Sequence, residues 1–520
     1  MADQVYPPSL GGPAAGGHAG PSSGGTVGPM AAAASGAEGP TGPALGGGDA
    51  PTVTPKGPPE GLAELLDCPH LRDWLTQQRW YASKTRAVSG IDIIEHVTLR
   101  EDPTLVLALA QARFATGTHE LYQLPLGVAR TGEDNQNPPG PPIAEVGGLV
   151  AYDAVADPVH ARELLARIDA GGDIDTGEGR FSFRRIEESQ SVGSDVAVRV
   201  MGVEQSNSSI VFGDKLVLKV FRKLEPGINP ELELLRFLTA CGFEHIAPLH
   251  GWYEYEGAAL AATLGVAQEF LPDATDGWQL ALDEIVNAPE RFLEQIGSLG
   301  TATAQMHSAL ASDASDPAFS PEEPSVEALS LLTATIDEDI ERIFLRLPED
   351  DERLAPILGR GEDVRERLAA RAQLGVGGKY IRIHGDYHLG QTLYTPRGWV
   401  ILDFEGEPAR PLPERRLKRS PLRDVASMLR SFAYACSAAL LQRGHQAPDG
   451  FEQQARQRFL DCYFADVDRA LLPAGESAIQ NLLEIFELEK AIYELRYELD
   501  NRPDWVSIPV AGIERILEST

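Results

Sequence analysis

Two strand-like runs that enclose a polar loop constrain this chain of 520 residues more than any other feature. The first run ends at Ile383, and the second, Trp399 to Leu402, ends on a carboxylate. Phosphoryl transfer needs one carboxylate to position the acceptor hydroxyl, and an amide oxygen with a second carboxylate to hold Mg²⁺ on the phosphates. We therefore give the first role to Asp386 and the second to Gln391 and Asp403, although each alone also fits a turn cap, a surface amide or a strand end.

A lysine within an apolar strand supplies a second element of the same chemistry. Alternation along the strand places Lys219 on one face and Leu218 and Val220 on the other. This position suits a cation that reaches the α and β phosphates of a nucleotide. The next helix offers an acid to hold the lysine, and we predict Glu233 as this partner, with Glu231 as the second choice.

Two further segments are candidates for nucleotide contacts. A polar turn precedes the lysine strand, and its backbone N–H groups and hydroxyls suit phosphate, although an ordinary hairpin turn explains it equally well. The segment from Ala267 to Pro272 leaves the sheet-rich half and suits adenine through its main chain. The candidate residues are Ser206, Asn207, Ser208 and Ser209 in the turn, and Glu269 and Leu271 in the connecting segment.

The order of these patterns predicts four regions and an α+β fold. Residues 1–60 are a Gly/Ala/Pro-rich leader without Lys or Arg before Lys56, a composition expected to be disordered. Helix and strand patterns follow in 61–150, a small antiparallel sheet in 151–272, and mainly helices in 273–520. We expect a cleft between the sheet-rich and helix-rich halves.

The net charge of the chain limits the classes of molecule that it is expected to bind. There are 45 Lys and Arg against 77 Asp and Glu, a net charge of -32, which disfavours nucleic acid and anionic membranes as partners. ATP would then require local cations and a divalent metal. The four cysteines have no CxxC spacing, and no apolar run approaches the roughly 20 residues that span a bilayer. A cytoplasmic protein is the expectation.

These motifs resemble those of aminoglycoside phosphotransferase-like kinases, and within them of actinobacterial maltokinases. The loop around Asp386, together with Asp403 and Lys219, is general to the superfamily. More specific are the segments EQSNSS from Glu204, FEGEPARP from Phe404, and the carboxy-terminal YELRYELDNRPDWVSIP.

The resemblance implies a bilobal protein-kinase-like fold with an amino-terminal cap region, here residues 61–150. It implies the reaction of ATP with maltose to give ADP and maltose 1-phosphate, a donor for α-glucan synthesis from trehalose. Asp386 matches the catalytic aspartate of these kinases, and Gln391 and Asp403 match the metal ligands. Trehalose synthase is a candidate protein partner, and a monomer is expected.

The helix predicted over 481–499 is the candidate acceptor side. One face is apolar, and the other carries polar groups that include Glu487 and Lys490. Carboxylates, amides and an aromatic platform suit sugar hydroxyls, but a solvated helix face followed by a packed Trp explains the same pattern. The candidates are Glu494, Tyr497, Asn501, Arg502 and Trp505, together with His388, for which a structural role is the alternative.

Two other functions remain open. Glucosamine or an aminoglycoside could be the acceptor in the same fold, since an acidic protein suits a cationic substrate. A catalytically inactive, kinase-like partner of trehalose synthase is the second alternative, against which the intact set of Lys219, Asp386, Gln391 and Asp403 argues.

Overall fold

Two antiparallel sheets form the amino-terminal half of the protein, and helices with a small third sheet form the remainder. The computed structural model describes residues 61–131, 140–193, 195–201, 207–258, 260–372, 377–408 and 410–518. The leader 1–60 and Ser206 therefore lie outside the described residues. The arrangement is the α+β, bilobal one with an amino-terminal cap that the sequence predicts.

The cap begins with two short helices that pack on a sheet ordered β1-β2-β3-β5-β4. The predicted strand patterns correspond to its first three strands. Because β5 belongs to this sheet, the sheet continues past residue 150. The elements are α1 (Leu62–Leu66), α2 (Pro69–Gln77), β1 (Val88–Glu101), β2 (Thr104–Phe114), β3 (His119–Arg130), β4 (Pro142–Val146) and β5 (Leu149–Asp153).

The cap sheet is buried on both faces, which explains the almost continuous apolar sequence of β2. Leu105, Leu107 and Leu109 belong to the core that continues into the small lobe. Val106 and Ala108 belong to a second core, shared with α1 and α2. Successive side chains of a strand point to opposite faces, so β2 contributes to two cores. The cap and the small lobe thus form one packed body.

The small lobe is a seven-stranded antiparallel sheet of order β6-β7-β12-β13-β10-β9-β8, flanked by two helices. The two-residue strand β11 pairs with β3 and so joins this lobe to the cap sheet. The elements are α3 (Pro158–Ala170), β6 (Gly172–Asp175), β7 (Gly179–Arg185), β8 (Val198–Met201), β9 (Asn207–Phe212), β10 (Leu216–Phe221), β11 (Lys223–Leu224), α4 (Pro230–Ala240), β12 (Leu249–Gly257) and β13 (Ala261–Glu269).

The large lobe is helical, with one three-stranded sheet at the cleft. Its carboxy-terminal helices share a third core, formed by α7, α8, α12 and α13. The elements are β14 (Thr275–Asp276), α5 (Gly277–Asn287), α6 (Pro289–Leu310), α7 (Val326–Phe344), α8 (Gly361–Ala372), β15 (Thr392–Thr395), β16 (Gly398–Ile401), α9 (Leu412–Arg415), α10 (Leu422–Arg443), α11 (Phe451–Asp466), α12 (Glu476–Asn501) and α13 (Ser507–Glu518).

None of the helices in the described ranges combines the length and the apolar composition that crossing a membrane requires.

A buried amide ties the cap to the strands of the small lobe. The Nε2 of Gln123 donates to the carbonyl oxygens of Phe221, at 2.9 Å, and Leu264, at 2.7 Å. The hydroxyl of Tyr253 donates to Oε1 of Gln123 at 2.8 Å. Gln123 is fully buried, so these bonds replace those that water would make. The amide therefore holds the end of β10 against the cap.

We expect Gln123→Leu to destabilise the protein by about 2–4 kcal/mol, because it leaves two carbonyls and a hydroxyl buried without their partner. Thermal unfolding, followed by fluorescence, measures the change. Gln111→Leu, at a half-buried position of the neighbouring strand β2, is the matched control and should shift stability by less than about 0.5 kcal/mol. Equal melting temperatures for the two variants would contradict this role of Gln123.

Candidate active site

Lys219, on β10, lies at the centre of a cluster of three carboxylates. Its Nζ lies 2.9 Å from Oε2 of Glu231, 2.8 Å from Oδ1 of Asp403 and 2.6 Å from Oε1 of Glu405. Burial opposes the charged form, but these carboxylates outweigh it and raise the pKa of Lys219 well above its ordinary value. The strand alternation read from the sequence holds, since Leu218 and Val220 are in the core.

The acid that reaches Lys219 from α4 is Glu231, so the first-choice prediction of Glu233 was wrong. Asn229 caps this helix by accepting from the N–H of Glu231 at 2.8 Å, which places Glu231 in the first turn, facing the cleft. Positions two apart on a helix are about 200° apart around its axis, so Glu233 faces elsewhere. Its carboxylate pairs with Arg382 and Arg416, each at 2.6 Å.

Asp403 lies two residues after the end of β16 and has a φ of 60°, in the left-handed region that few non-glycine residues adopt. One oxygen contacts Lys219, and the other accepts from Nε2 of Gln391 at 3.1 Å. Burial opposes ionisation of this carboxyl, but the charge of Lys219 lowers its pKa below the ordinary value. The structure thus brings together Lys219, Gln391 and Asp403, as expected from the sequence.

The cluster offers the donor set that a magnesium ion requires. Carboxylate oxygens of Glu231, Asp403 and Glu405 all lie within 4.8 Å of one another, and the amide of Gln391 is beside them. Mg²⁺ prefers oxygen ligands, and these are all oxygen-bearing side chains. Lys219 compensates one of the three carboxylate charges, and burial raises the pKa of Glu231 to about 8. The residues present therefore fit a divalent cation.

The carboxylate of Asp424 fixes the loop that carries Asp386. Oxygens of Asp424 accept from the N–H of His384 at 2.8 Å and of Gly385 at 3.0 Å, and contact Nε2 of His307 at 3.1 Å. Asp424 lies in the first turn of its own helix, α10, and does not cap it, because its carboxylate is occupied by this loop. Gly385 has a φ of 85°, which favours glycine at this turn.

Asp386 is buried, and its Oδ1 has no hydrogen-bond partner among the described residues. Burial raises the pKa of this carboxyl to about 7, the charges of Asp403 and Glu407 add to the shift, and Lys490 opposes it. His388 Nε2 lies 4.0 Å from Asp386, and burial lowers the pKa of His388 to about 3, so the ring is neutral. Asp386 is therefore a carboxylate of high proton affinity, and its free oxygen can accept a hydrogen bond.

The segment expected to be a phosphate turn is mostly strand. Asn207, Ser208 and Ser209 open β9, because their register with β10 continues to the end of that strand. The side chain of Asn207 donates to Glu405 at 3.1 Å, and the hydroxyl of Ser208 accepts from Arg222 at 2.9 Å. Asn207 and Ser209 line the cleft.

The connecting segment lines the same cleft, a cavity of about 600 Å³, within the range of small-molecule sites. The N–H of Glu269 donates to the carbonyl of Pro248 at 3.0 Å, so this donor is not available to an adenine ring. Leu271 and Phe270 form part of the wall, with Val217 opposite on the lysine strand.

The acceptor residues predicted on the second half of α12 do not reach the catalytic loop. Glu494 is fully buried and accepts from Nη2 of Arg430 at 2.6 Å, so the prediction that it binds a sugar was wrong. The side of the helix that carries Glu494 packs against α10, whereas Arg496, Asp500 and Asn501 lie on an exposed side of it. The others pair locally or pack in the core, and none is among the described residues that line the cavities at the loop: Tyr497, Asn501, Arg502 and Trp505.

Earlier turns of α12 reach the loop instead. Phe486, Glu489 and Lys490 line a crevice beside Gly385, with Glu407 on the other side. Lys490 had been placed on the polar face from the sequence, but not among the acceptor residues. Glu405 was missed, because the chain turns at Asp403 and Phe404, and the sequence pattern does not show which way the residues after the strand face.

Comparisons with known proteins agree with this geometry. Residues 74–157 match the maltokinase N-terminal cap domain, and residues 197–459 match the phosphotransferase enzyme family of aminoglycoside phosphotransferases. A glucosamine kinase of Streptacidiphilus jiangxiensis is 26% identical over 329 residues, 61% of this chain and 72% of that protein. One from Mycolicibacterium smegmatis is 28% identical over 336 residues, 62% of this chain and 79% of that protein.

A solved structure of a glucosamine kinase with glucosamine, ADP and inorganic phosphate superposes with a TM-score of 0.64. It is 20% identical, and the alignment covers 88% of this chain and 99% of that one, so the two share a fold. The family predicted from the motifs is confirmed by these matches. The chain belongs to the phosphotransferase enzyme family of aminoglycoside phosphotransferase-like kinases and carries a maltokinase-type cap domain.

Proposed function

We propose that this protein is a maltokinase, which transfers the terminal phosphoryl group of ATP to the anomeric hydroxyl of maltose. The observation that carries the proposal is the position of Asp386. It is a buried carboxyl with a free oxygen, on a loop beside the cleft that contains Lys219, Gln391 and Asp403. Maltose 1-phosphate formed in this way would be a donor for α-glucan synthesis.

Each residue of the candidate active site has its own role in the proposed reaction. Asp386 orients the acceptor hydroxyl and accepts its proton late in the transfer, for which a pKa near neutrality is suitable. Lys219, fixed by Glu231, neutralises phosphate charge at the floor of the cleft. Gln391 and Asp403, with Glu405 and Glu231 close by, would hold Mg²⁺. A bound Mg²⁺ supplies charge neutralisation on the phosphates.

Two observations bear on the acceptor. The cap domain matches the one described for maltokinases, which favours maltose. The relatives at 26% and 28% identity are named glucosamine kinases, which makes glucosamine the second candidate. Association with trehalose synthase and a monomeric state stay predictions.

An ADP-release assay with ATP and Mg²⁺ separates these candidates. We expect release with maltose, and only background release with glucosamine or without a sugar. Addition of EDTA should abolish the signal, because the cluster around Lys219 has surplus negative charge without a divalent cation. Release that does not depend on maltose, or no release at all, would refute the proposal.

Asp386→Asn should lower turnover by about 10²- to 10⁴-fold, since an amide cannot accept the proton, while the affinity for MgATP stays close to that of the wild type. Stability should not fall. The carboxyl has a pKa near 3.8 when unfolded and about 7 when folded, so its ionisation disfavours the wild-type fold progressively between these values and fully above pH 7. At about pH 8 the variant should therefore melt at a higher temperature than the wild type.

Asp424→Asn is the matched control for this experiment, because it replaces one of the two oxygens that accept from backbone N–H groups of the loop by an amide nitrogen, which cannot accept. It should lower the melting temperature together with the activity. An Asp386→Asn protein that melts below the wild type, or that keeps wild-type turnover, would exclude the proposed role of Asp386.

The pH dependence of kcat/KM for the acceptor provides a second check. Only the ionised form of Asp386 accepts a proton, so kcat/KM should rise with pH through a single limb centred at or below about 7 and then level. A bound divalent cation near Asp403 shifts this limb to lower pH, because it offsets a charge that raises the pKa of Asp386. The residual rate of Asp386→Asn should lack the limb, and a limb of the same midpoint in that variant would assign it to another group.

A further inference from the structure

Helix α4 has one side toward the nucleotide cleft and another toward the large lobe. Glu231 lies on the first side and reaches Lys219. Glu233 and Phe237 are four positions apart, so they lie together on the second side. The ring of Phe237 stacks on Phe319 of the large lobe, with ring centres 3.6 Å and planes 9° apart. The helix that presents an acid to the cleft therefore also rests against the large lobe.

The carboxylate of Glu233 accepts hydrogen bonds from two arginines of the large lobe. Arg382 donates from Nη1 to Oε2 at 2.6 Å. Arg416 donates one bond to each oxygen, from Nε to Oε2 at 3.0 Å and from Nη2 to Oε1 at 2.6 Å. The side chain of Glu233 is 11% exposed and that of Arg382 only 3%. The two bonds from Arg416 fix the orientation of the carboxylate, so the pairing links the two lobes in a defined geometry.

The two arginines are held close together within the large lobe. Arg382 follows Ile381, which exchanges backbone hydrogen bonds with Arg419 at 2.8 and 2.9 Å. Arg416 lies three positions before Arg419, directly after α9. Burial lowers the pKa of Arg382, the charge of Arg416 adds to this shift, and Glu233 opposes it. Glu233 thus supplies the negative charge that two neighbouring, like-charged groups require.

The arginines belong to the two segments that also carry the catalytic groups. The chain passes from Arg382 into the catalytic loop, and from Asp403 through α9 to Arg416. Glu231 and Glu233 share the first turn of one helix, so a displacement of one acid displaces the other. The pairing of Glu233 therefore sets the position of Glu231 relative to the catalytic loop and Asp403.

We propose that Glu233 is a positioning residue for phosphate binding, which acts through Glu231 on Lys219. Lys219 is shared between Glu231 of the small lobe and two acids of the large lobe, Asp403 and Glu405. If α4 shifts, Glu231 no longer holds the ammonium, and the two acids of the large lobe compete with the phosphates for it. The inference rests on the proposed function only in taking ATP as the phosphoryl donor, and not in the choice of sugar.

Calorimetric titration of MgADP and of adenosine into the full chain tests this role. Only MgADP carries phosphates, so a displaced Lys219 should weaken its binding and leave that of adenosine unchanged. Glu233→Gln should lower the affinity for MgADP by about tenfold, the scale of one weakened hydrogen bond to a charged group. Its affinity for adenosine should change by less than about twofold, whereas a general loss of structure would lower both affinities alike.

Three further proteins sharpen the test. Arg416→Gln removes the bidentate donor at a position that is 30% exposed, and should weaken MgADP in the same selective way. Glu233→Gln combined with Glu231→Gln should bind MgADP no more weakly than Glu231→Gln alone, because the first residue acts through the second. Glu244→Gln changes an exposed acid just beyond α4, without an ion pair in the described part of the chain, and should alter neither affinity. Thermal unfolding defines the temperature below which each protein is titrated.

Four results would overturn the inference: an unchanged MgADP affinity in both Glu233→Gln and Arg416→Gln, equal losses for MgADP and adenosine, additive losses in the double variant, or no binding of MgADP to the wild type. Nucleotide binding needs no acceptor, so failure of the proposed function is distinguishable. If no sugar releases ADP but Glu233→Gln weakens MgADP selectively, the maltokinase proposal fails and the role of Glu233 stands.

Discussion

One ammonium group, that of Lys219, compensates three carboxylates from two segments of the chain, and the geometry of the cleft depends on it. Glu231 comes from a helix of the small lobe, whereas Asp403 and Glu405 follow a strand of the large lobe. Three acids this close would repel one another strongly without a cation. The lysine thus joins the two lobes, and the charge that it leaves uncompensated is what a divalent cation would neutralise.

The cap matters because it supports the strand that carries this lysine. Strand β11 pairs with the cap, and Gln123 binds the carbonyl of Phe221, two residues beyond Lys219. Alternate residues of β2 enter two different cores, and one of these cores continues into the small lobe, so the cap sheet cannot detach without exposing apolar surface on that face. The cap is therefore part of the body that fixes the nucleotide side of the cleft.

The acidity of the protein contrasts with the charges at the catalytic loop. The chain carries a net charge of -32, yet the crevice beside the catalytic loop brings Arg410, Arg423 and Lys490 beside the acids that line it. Lys490 moderates the field at Asp386, because its charge lowers the pKa of that carboxyl, which burial raises. Net charge describes the surface as a whole, whereas proton affinity at a buried carboxyl is set by desolvation and near neighbours.

The catalytic groups and their local backbone conformation can be read from the sequence. Three features depend only on neighbours within a few residues, and the sequence pattern shows them: the loop around Asp386, the strand end at Asp403, and the side of β10 that carries Lys219. Packing between distant segments, which the pattern does not show, brings Glu231 to Lys219, pairs Glu494 with Arg430, and places an earlier turn of α12 along the crevice. The physical reason is that a buried charge is stabilised by whichever partner packing brings close, and Arg430 and Glu494 lie 64 positions apart.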